Sequence, residues 1–240
     1  MHRAGTWIFR PEETPPGLLI AYSGRGAAPE GTASPTAYLA RSFATALGLR
    51  DLPIVRAAQV HGARAVNVGE APPPSDVRDA GECDILVTNL TGVALAVQTA
   101  DCVPILLAGG GAIGAAHAGW RGSALEVAAG VVAALASLGA RPAELRAWIG
   151  PTIGPCCYEV GEEVAERFAE DFLRASSGGR YRLDLTAVNR AQLVAAGVPA
   201  EGISVYAPCT RCGGEKYASY RRDGAAAGRN IALVARLPEG

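Results

Sequence analysis

The sequence predicts an α+β fold in which mixed or antiparallel sheets are covered by helices. Three observations lead to this class. The 240 residues are 49% hydrophobic and 19% charged, as expected of a globular chain with a sizeable core. Ten short β-like runs alternate irregularly with four helical segments, and several runs between Ile54 and Ala116 follow one another without a helix. Because no repeat or long linker divides the chain, residues 1–240 are predicted to form one domain.

Helix start and stop signals define the four helical segments. Ser34 and Pro35 serve as N-cap and first turn of the first helix, and a capping-box pattern from Ser123 to Glu126 begins the second. The third carries apolar residues at helical spacing. The predicted helices are Ser34–Gly48, Ser123–Gly139, Gly161–Arg174 and a fourth that begins at Asp184 or Thr186 and ends at Gly197.

Short apolar runs, rich in β-branched residues, predict the strands. The loop Gly69–Glu82 is rich in proline and charge, and we expect it to form a surface flap. The predicted strands are Leu18–Tyr22, Ile54–Gln59, Ala65–Val68, Ile85–Thr88, Val93–Gln98, Ile105–Leu107, Ala112–Ala116, Ala147–Ile149, Ile203–Tyr206 and Ile231–Val234.

Charge and hydropathy argue against two classes of partner. The 22 basic and 23 acidic residues give a net charge of −1, so no overall field attracts nucleic acid or an anionic membrane. The longest apolar stretch, Val103–Ala116, is too short to span a membrane, and the N-terminal residues lack the apolar core of a signal peptide. We therefore expect a cytoplasmic protein, either a monomer or a small homo-oligomer, whose cysteines are thiols or metal ligands.

The strongest candidate site combines His61, Cys102 and His117, each near the end of a β-like run. A thiolate with two imidazoles is a good ligand set for zinc, and three protein ligands leave a fourth position for water or substrate. The wide separation of these residues matches no short zinc-binding motif. The alternatives are a metal-free Cys–His pair for nucleophilic catalysis, or histidines and a buried cysteine with ordinary structural roles.

A second candidate is the Cys209–Cys212 pair, which has CxxC spacing. Such a pair indicates redox chemistry or half of a zinc site. A structural zinc needs two more ligands, for which Cys83 and the adjacent Cys156 and Cys157 are available, but the sequence does not connect them. The alternative is a turn with two free thiols.

Several arginines stand where an anion could bind. Arg25 lies in a glycine-flanked loop, and Arg121 precedes the predicted second helix, whose N-terminus favours anions. Arg221 and Arg222 lie beside a tyrosine near the C-terminus, and Arg229 follows. The competing interpretation is a set of surface salt bridges.

The segment Ile149–Val160 contains two Gly-Pro steps, and such a rigid loop could present Cys157, Tyr158 or Glu159 to a pocket.

Beyond these patterns, the sequence resembles the YfiH-like family, also called laccase-domain or polyphenol-oxidase-type proteins. The match runs in order from about residue 54 to the C-terminus, and two of its motifs, AHAGWRG and the block containing CCYEVG, are highly specific. At the start of the chain the expected arginine-containing string is replaced by Ser23–Gly26. The matching strings are QVHG (Gln59–Gly62), CDILVT (Cys83–Thr88), TADCVPILL (Thr99–Leu107), AHAGWRG (Ala116–Gly122), IGPTIGPCCYEVG (Ile149–Gly161), DLTAVNRAQL (Asp184–Leu193), SYRRDG and GRN.

This resemblance implies a four-layer α/β/β/α sandwich related to the catalytic domain of cytotoxic necrotizing factors. It implies a zinc-dependent purine nucleoside phosphorylase that acts on adenosine, inosine and S-methyl-5′-thioadenosine, with accompanying adenosine deaminase activity. The metal ligands and catalytic centre would be His61, Cys102 and His117. In the family, the arginine of the N-terminal string is associated with phosphate, and Arg25 is the corresponding residue of this sequence. Arg121 and Tyr158 complete the expected binding site for purine nucleosides and phosphate.

Three other functions compete with this one. Copper-dependent phenol oxidation is disfavoured because three histidines are too few for a multicopper cluster. Copper is the alternative metal for His61, Cys102 and His117, but the usual axial ligand of a blue-copper site is methionine, and the only methionine is Met1. A metal-independent hydrolase or deamidase would use Cys102 with His117. A binding protein would use the metal only to hold its fold together.

Deamination also needs a carboxylate that transfers protons. Asp84 and Asp101 are nearer in sequence than Glu159 to the strings that contain His61, Cys102 and His117.

Overall fold

The computed structural model describes residues 8–11 and 14–238. Fifteen strands and six α-helices, numbered in chain order, are present in these residues. The strands form two six-stranded sheets and one three-stranded sheet. The α+β class with mixed sheets is confirmed, because parallel and antiparallel pairs occur in both large sheets.

The first large sheet contains, in spatial order, β1 (Ile8–Phe9), β2 (Leu18–Ser23), β15 (Asn230–Arg236), β7 (Ala94–Thr99), β3 (Ile54–Ala58) and β5 (Val77–Glu82). The second contains β14 (Ile203–Val205), β10 (Arg146–Ile149), β8 (Val103–Gly109), β9 (Ala112–Ala118), β6 (Ile85–Thr88) and β4 (Ala65–Asn67). The small sheet contains β11 (Glu159–Val160), β13 (Tyr181–Leu183) and β12 (Leu173–Ala175). The helices are α1 (Pro35–Ala46), α2 (Trp120–Ala124), α3 (Val127–Ala136), α4 (Glu162–Ala165), α5 (Leu185–Ala195) and α6 (Tyr220–Asp223).

Three apolar clusters hold these elements together. Leu95 of β7 and Leu106 of β8 belong to a cluster shared by the two large sheets. Phe43 of α1 packs with strands of the first sheet, and Val131 of α3 packs with strands of the second. Burial of each such side chain contributes about 1.5–3 kcal/mol. Helices and sheets therefore pack against one another through their apolar faces, and the ends of the strands remain available for a site.

All ten predicted strands are confirmed, each within two residues at either end. The first and fourth helices are also confirmed as α1 and α5. Asp184 caps α5 by accepting a hydrogen bond from the Ala187 amide. Pro35 occupies the first turn of α1, as expected.

The other two helix predictions need correction. The capping box at Ser123 is wrong, because Ser123 lies inside α2, where its hydroxyl accepts a hydrogen bond from Asn189. The helix restarts after Glu126, which has left-handed backbone geometry. The predicted helix Gly161–Arg174 shortens to α4, because β12 pairs with β13, and this sheet pairing outweighs the helical spacing.

The surface-flap prediction for Gly69–Glu82 is wrong in its second half. Residues Val77–Glu82 form β5, which pairs in parallel with β3 at the edge of the first sheet. Gly81 and Asp79 form a local turn in this strand, in which the Gly81 amide donates to the Asp79 carboxylate. Within the described ranges, no helix combines the length and hydropathy needed to cross a lipid bilayer.

Candidate metal centre and pocket

The two histidines and the cysteine predicted to share a metal come from neighbouring strand ends. His61 lies in the turn after β3, Cys102 lies between β7 and β8, and His117 belongs to β9. Their ligand atoms, the imidazole nitrogens and the Cys102 sulfur, lie within 4.8 Å of one another. The two imidazole rings meet edge to face, with centroids 4.8 Å apart. The three side chains could therefore hold one metal ion.

A fully buried carboxylate, Asp84, organises two of the three candidate ligands. Its Oδ1 lies 2.8 Å from Nδ1 of His117 and accepts the His61 amide at 3.1 Å. Its Oδ2 accepts the amides of Val60 and Gly62 at 3.2 and 2.7 Å. Since Nδ1 of His117 is bonded to Asp84, Nε2 is the ring nitrogen left for a metal. Asp84 also holds the His61 turn, in which His61 adopts a left-handed φ of 60°.

The ionisation of the site follows from these contacts. Burial would raise the pKa of Asp84, but hydrogen bonds from His117 and Gly62 outweigh it and lower that pKa. Burial would likewise raise the pKa of Cys102, but the charge of His117 and hydrogen bonds from both histidines lower it to about 6. Burial opposes protonation of His117, yet Cys102 and Asp84 raise its pKa to about 9. At neutral pH the metal-free site therefore holds a thiolate beside an imidazolium.

Gly119 closes the backbone around the three side chains. It precedes α2, and a Cβ atom placed on it would lie 3.0 Å from the Cys102 sulfur and 3.0 Å from Cδ2 of His61. Any larger side chain would push these two candidate ligands apart. The close approach explains why glycine stands between the histidine and the tryptophan of the AHAGWRG string.

The candidate ligands line a pocket of about 410 Å³, large enough for a small organic molecule. Gln59, which directly follows β3, and Gln98 of β7 line it. The Gln59 amide donates to the Gln98 carbonyl at 2.7 Å and accepts from its backbone amide at 2.8 Å. The side-chain oxygen of Gln98 is buried and lacks a hydrogen-bond partner in the described residues. The other polar or aromatic side chains around the pocket are Thr99, Asp101, Tyr158, Tyr220, Arg221 and Arg229.

Comparison with known proteins places this architecture in a family. Residues 36–237 match the family model described as multi-copper polyphenol oxidoreductase laccase. The chain is 36% identical to adenosine deaminase RL5 of an unknown prokaryotic organism, covering 81% of this chain and 79% of that protein. It is 41% identical to a purine nucleoside phosphorylase of Deinococcus radiodurans, covering 80% and 74%. The crystal structure of YlmD from Geobacillus stearothermophilus matches with a TM-score of 0.84 at 31% identity, covering 99% and 98%.

This chain belongs to the YfiH-like, laccase-domain family. The resemblance carried by the QVHG, TADCVPILL and AHAGWRG strings is thereby confirmed. The family description names copper chemistry, whereas the names of the two relatives above refer to nucleoside chemistry.

The predicted substrate-binding residues of this YfiH-like chain lie in different places. Tyr158 lines the pocket, and burial followed by the charge of Cys102 raises the pKa of its hydroxyl. Arg25 lies outside the pocket-lining set, with Nη1 3.4 Å from an Asp223 carboxylate oxygen. Arg121 also lies outside it, and its guanidinium stands 4.4 Å over the Trp120 ring.

Two other arginines reach the pocket instead. The Arg221 guanidinium lies 5.2 Å over the Tyr158 ring and donates to the Glu159 carbonyl at 2.7 Å. Arg229 donates to the carbonyls of Ala227 and Gly228, both at 2.9 Å. The sequence offered these residues as anion candidates through the SYRRDG and GRN strings, without a basis for ranking them above Arg25.

The carboxylates considered as proton shuttles are engaged in structural contacts. Asp84 is enclosed by the donors described above. Asp101 accepts the Thr210 hydroxyl and the Arg221 amide, each at 2.6 Å, and has a φ of 91°. Glu159 accepts the Ser176 hydroxyl at 2.9 Å and lies 2.7 Å from Arg180. Gln59 and Asp84 stand in the QVHG and CDILVT strings. Nothing in these strings indicated that Gln59 lines the pocket or that Asp84 holds His117 and the His61 turn.

The remaining candidate metal ligands are Met1 and the other cysteines. Met1, the one methionine available to a blue-copper site, lies outside the described residues. The Cys209–Cys212 pair meets the Cys156–Cys157 pair, and the four sulfur atoms lie within 4.8 Å of one another. Cys83 is buried in the cluster shared by the two large sheets and does not join them.

Proposed function

We propose that this chain is a zinc-dependent purine nucleoside phosphorylase acting on adenosine, inosine and S-methyl-5′-thioadenosine, with accompanying adenosine deaminase activity. One observation carries the proposal: a nitrogen–sulfur ligand set and two arginines line the same pocket of about 410 Å³. The names of relatives at 36–41% identity support the substrate class. The proposal includes a single domain over residues 1–240, with the four-layer α/β/β/α arrangement and the relation to cytotoxic necrotizing factors.

The donor set fits zinc. Two imidazoles and one thiolate within 4.8 Å match the ligand types that catalytic zinc sites use, and three ligands leave a position open. The contact between Asp84 and Nδ1 of His117 is the usual carboxylate support for a histidine ligand. Zinc held by His61, Cys102 and His117 would supply Lewis acidity toward a substrate or water oxygen. The role of these three residues is to hold the metal at the wall of the pocket.

The arginines would position phosphate. The guanidinium groups of Arg221 and Arg229 are permanent cations that match phosphate geometry, and both line the pocket. An oxygen of hydrogenphosphate attacks C1′ of the ribose, the bond from C1′ to the purine nitrogen breaks, and the purine leaves with the proton that hydrogenphosphate gives up, so the products are ribose 1-phosphate and neutral purine. Positive charge develops on the sugar as this bond breaks, and phosphate held nearby stabilises it.

Neutral side chains would bind the nucleoside. Gln98 lines the pocket, and its side-chain amide could hydrogen-bond to a ribose hydroxyl or a purine nitrogen. The Tyr158 ring, fixed beneath Arg221, offers an aromatic surface for packing. We place the enzyme in the cytoplasm, where thiols remain reduced and both substrates are available.

A metal-independent Cys–His hydrolase or deamidase is the second candidate. The lowered pKa of Cys102 favours it, since a thiolate beside an imidazolium is the active form of such enzymes. Strong chelators would then leave activity unchanged, while alkylation of Cys102 would abolish it. Copper-dependent phenol oxidation, to which the family description points, predicts colour near that of blue-copper proteins after copper loading.

The test is incubation of zinc-loaded protein with adenosine, with and without phosphate, followed by chromatography of the products. The proposal predicts adenine only in the phosphate-containing sample and some inosine in both. Inosine alone in both samples would make deamination the main reaction and would remove phosphate from the proposal. Absence of every product would refute both activities for adenosine.

A further inference from the structure

We infer that Cys156, Cys157, Cys209 and Cys212 form a second metal site, a structural tetrathiolate site for zinc. This site is separate from the candidate metal centre formed by His61, Cys102 and His117. It stands independently of the proposed function, because metal content and spectra can be measured without turnover.

The sulfur geometry carries the inference. The Cys212 sulfur lies 3.1 Å from that of Cys157 and 3.6 Å from that of Cys156, and all four sulfurs fall within 4.8 Å. A tetrahedral site with zinc–sulfur bonds of about 2.3 Å has sulfurs about 3.8 Å apart. The two separations from the Cys212 sulfur are somewhat shorter than this value, and no pair of the four sulfurs is more than 4.8 Å apart. A small adjustment of side-chain torsions would therefore enclose one ion.

The backbone of the Cys209–Cys212 turn is arranged as a metal-binding turn. The Gly213 amide donates to the Cys209 carbonyl at 2.8 Å, which closes the turn. The Cys157 amide donates to the Gly154 carbonyl and the Thr210 amide donates to the Thr152 carbonyl, both at 2.9 Å. These backbone hydrogen bonds hold the two cysteine-bearing loops beside each other.

A metal ion bound between the four sulfurs would balance the charge of four thiolates. Four thiolates this close repel one another, so together they ionise only around a metal ion. Binding of one Zn²⁺ by four thiols releases four protons and leaves a net charge of −2. Arg182, which donates to the Cys156 carbonyl, and Arg222, which donates to the Thr210 carbonyl, lie nearby to offset this charge.

The site would join two loops that bear on the pocket. Cys157 directly precedes Tyr158, which lines the pocket. Thr210, inside the cysteine turn, donates its hydroxyl to Asp101, the neighbour of Cys102. A metal between the loops would therefore fix the wall of the pocket, although none of the four cysteines lines it.

The experiment measures metal per chain by mass spectrometry in protein purified without chelator. We expect two equivalents in the wild type, one in Cys209→Ser/Cys212→Ser and one in Cys102→Ala. Cys83→Ala is the matched control, because it removes a thiol outside both groups, and it should retain two equivalents. The equivalent kept by Cys102→Ala, exchanged for cobalt, should show the intense spectrum of a tetrahedral four-thiolate site.

Two further measurements keep the inference testable if the double serine variant fails to fold. Cys212→His should retain both equivalents with an altered cobalt spectrum, since three cysteines and a histidine also bind zinc. In Cys102→Ala, a mercurial reagent should release the remaining equivalent in step with modification of four thiols. A wild type with one equivalent, unchanged by Cys209→Ser/Cys212→Ser, would overturn the inference. Fewer than six thiols after denaturation without reductant would also overturn it, because the cysteines would then be disulfide-bonded.

Discussion

Substitution of Asp84 by asparagine tests how the protein holds its candidate metal ligands. The carboxylate accepts hydrogen bonds at both oxygens, from His117 and the His61 amide on one side and from Val60 and Gly62 on the other. Asparagine has one oxygen and one NH₂ group, so two of the four donors lose their acceptor whichever way the amide points.

The magnitude follows from that count. Each buried donor left without a partner costs about 1–3 kcal/mol, so we expect the free energy of unfolding to fall by about 2–6 kcal/mol. Loss of support for a histidine ligand should weaken zinc binding by roughly 10–100-fold. The lowered pKa adds a pH signature. The stabilisation from Asp84 is present above the ordinary carboxyl pKa of about 4 and is lost as pH falls through the lower folded value.

Two assays measure these effects. Denaturant unfolding of the metal-free protein gives the stability change, and competition with a chromophoric chelator gives the zinc affinity. Asp79→Asn is the matched control, because this carboxylate lies on the edge strand β5 with 39% of its side chain exposed, and it should change both quantities little. Wild-type stability and zinc affinity in Asp84→Asn would refute the positioning role of the carboxylate.

Three further predictions follow from the site geometry. Gly119→Ala places a Cβ atom 3.0 Å from the Cys102 sulfur, at a strain of about 1–3 kcal/mol. Chelator competition should show weaker zinc binding, whereas Gly69→Ala, which has open space, should match the wild type. In metal-free protein the alkylation rate of Cys102, followed by mass spectrometry, should be half-maximal near pH 6, since its pKa is lowered to about 6. Cys83, with its pKa raised to about 11, should stay unreactive at neutral pH, and equal labelling of both would contradict the assignment. Arg221→Ala should raise KM for phosphate by roughly tenfold to a hundredfold, with a smaller change for the nucleoside; equal changes would argue against a phosphate role.

Much of the fold could be predicted from the sequence because its strands are buried apolar runs. The runs Ile85–Thr88 and Ala112–Ala118 are fully buried, and their hydrophobicity marks them without reference to partners. The errors occur where tertiary contacts override local signals. Ser123 bonds to Asn189 rather than capping a helix, and Leu173 pairs with Leu183 rather than extending one.

The candidate site was predictable in its ligand types and less so in its surroundings. His61, Cys102 and His117 could be proposed as ligands because their chemistry suits zinc, although their proximity depends on the fold. The convergence of two cysteine pairs separated by more than fifty residues could not be deduced from spacing. The sequence presents both Arg25 and Arg221 as anion candidates, and the position of Arg221 beside the pocket depends on the tertiary fold.

The most direct test of the central proposal compares wild type with Cys102→Ala in phosphate-dependent release of adenine from adenosine, with zinc content measured on the same samples. The account predicts that the wild type releases adenine only with phosphate. In Cys102→Ala we expect loss of both this activity and the metal held with His61 and His117. A Cys102→Ala protein that keeps this metal and full turnover would contradict the account.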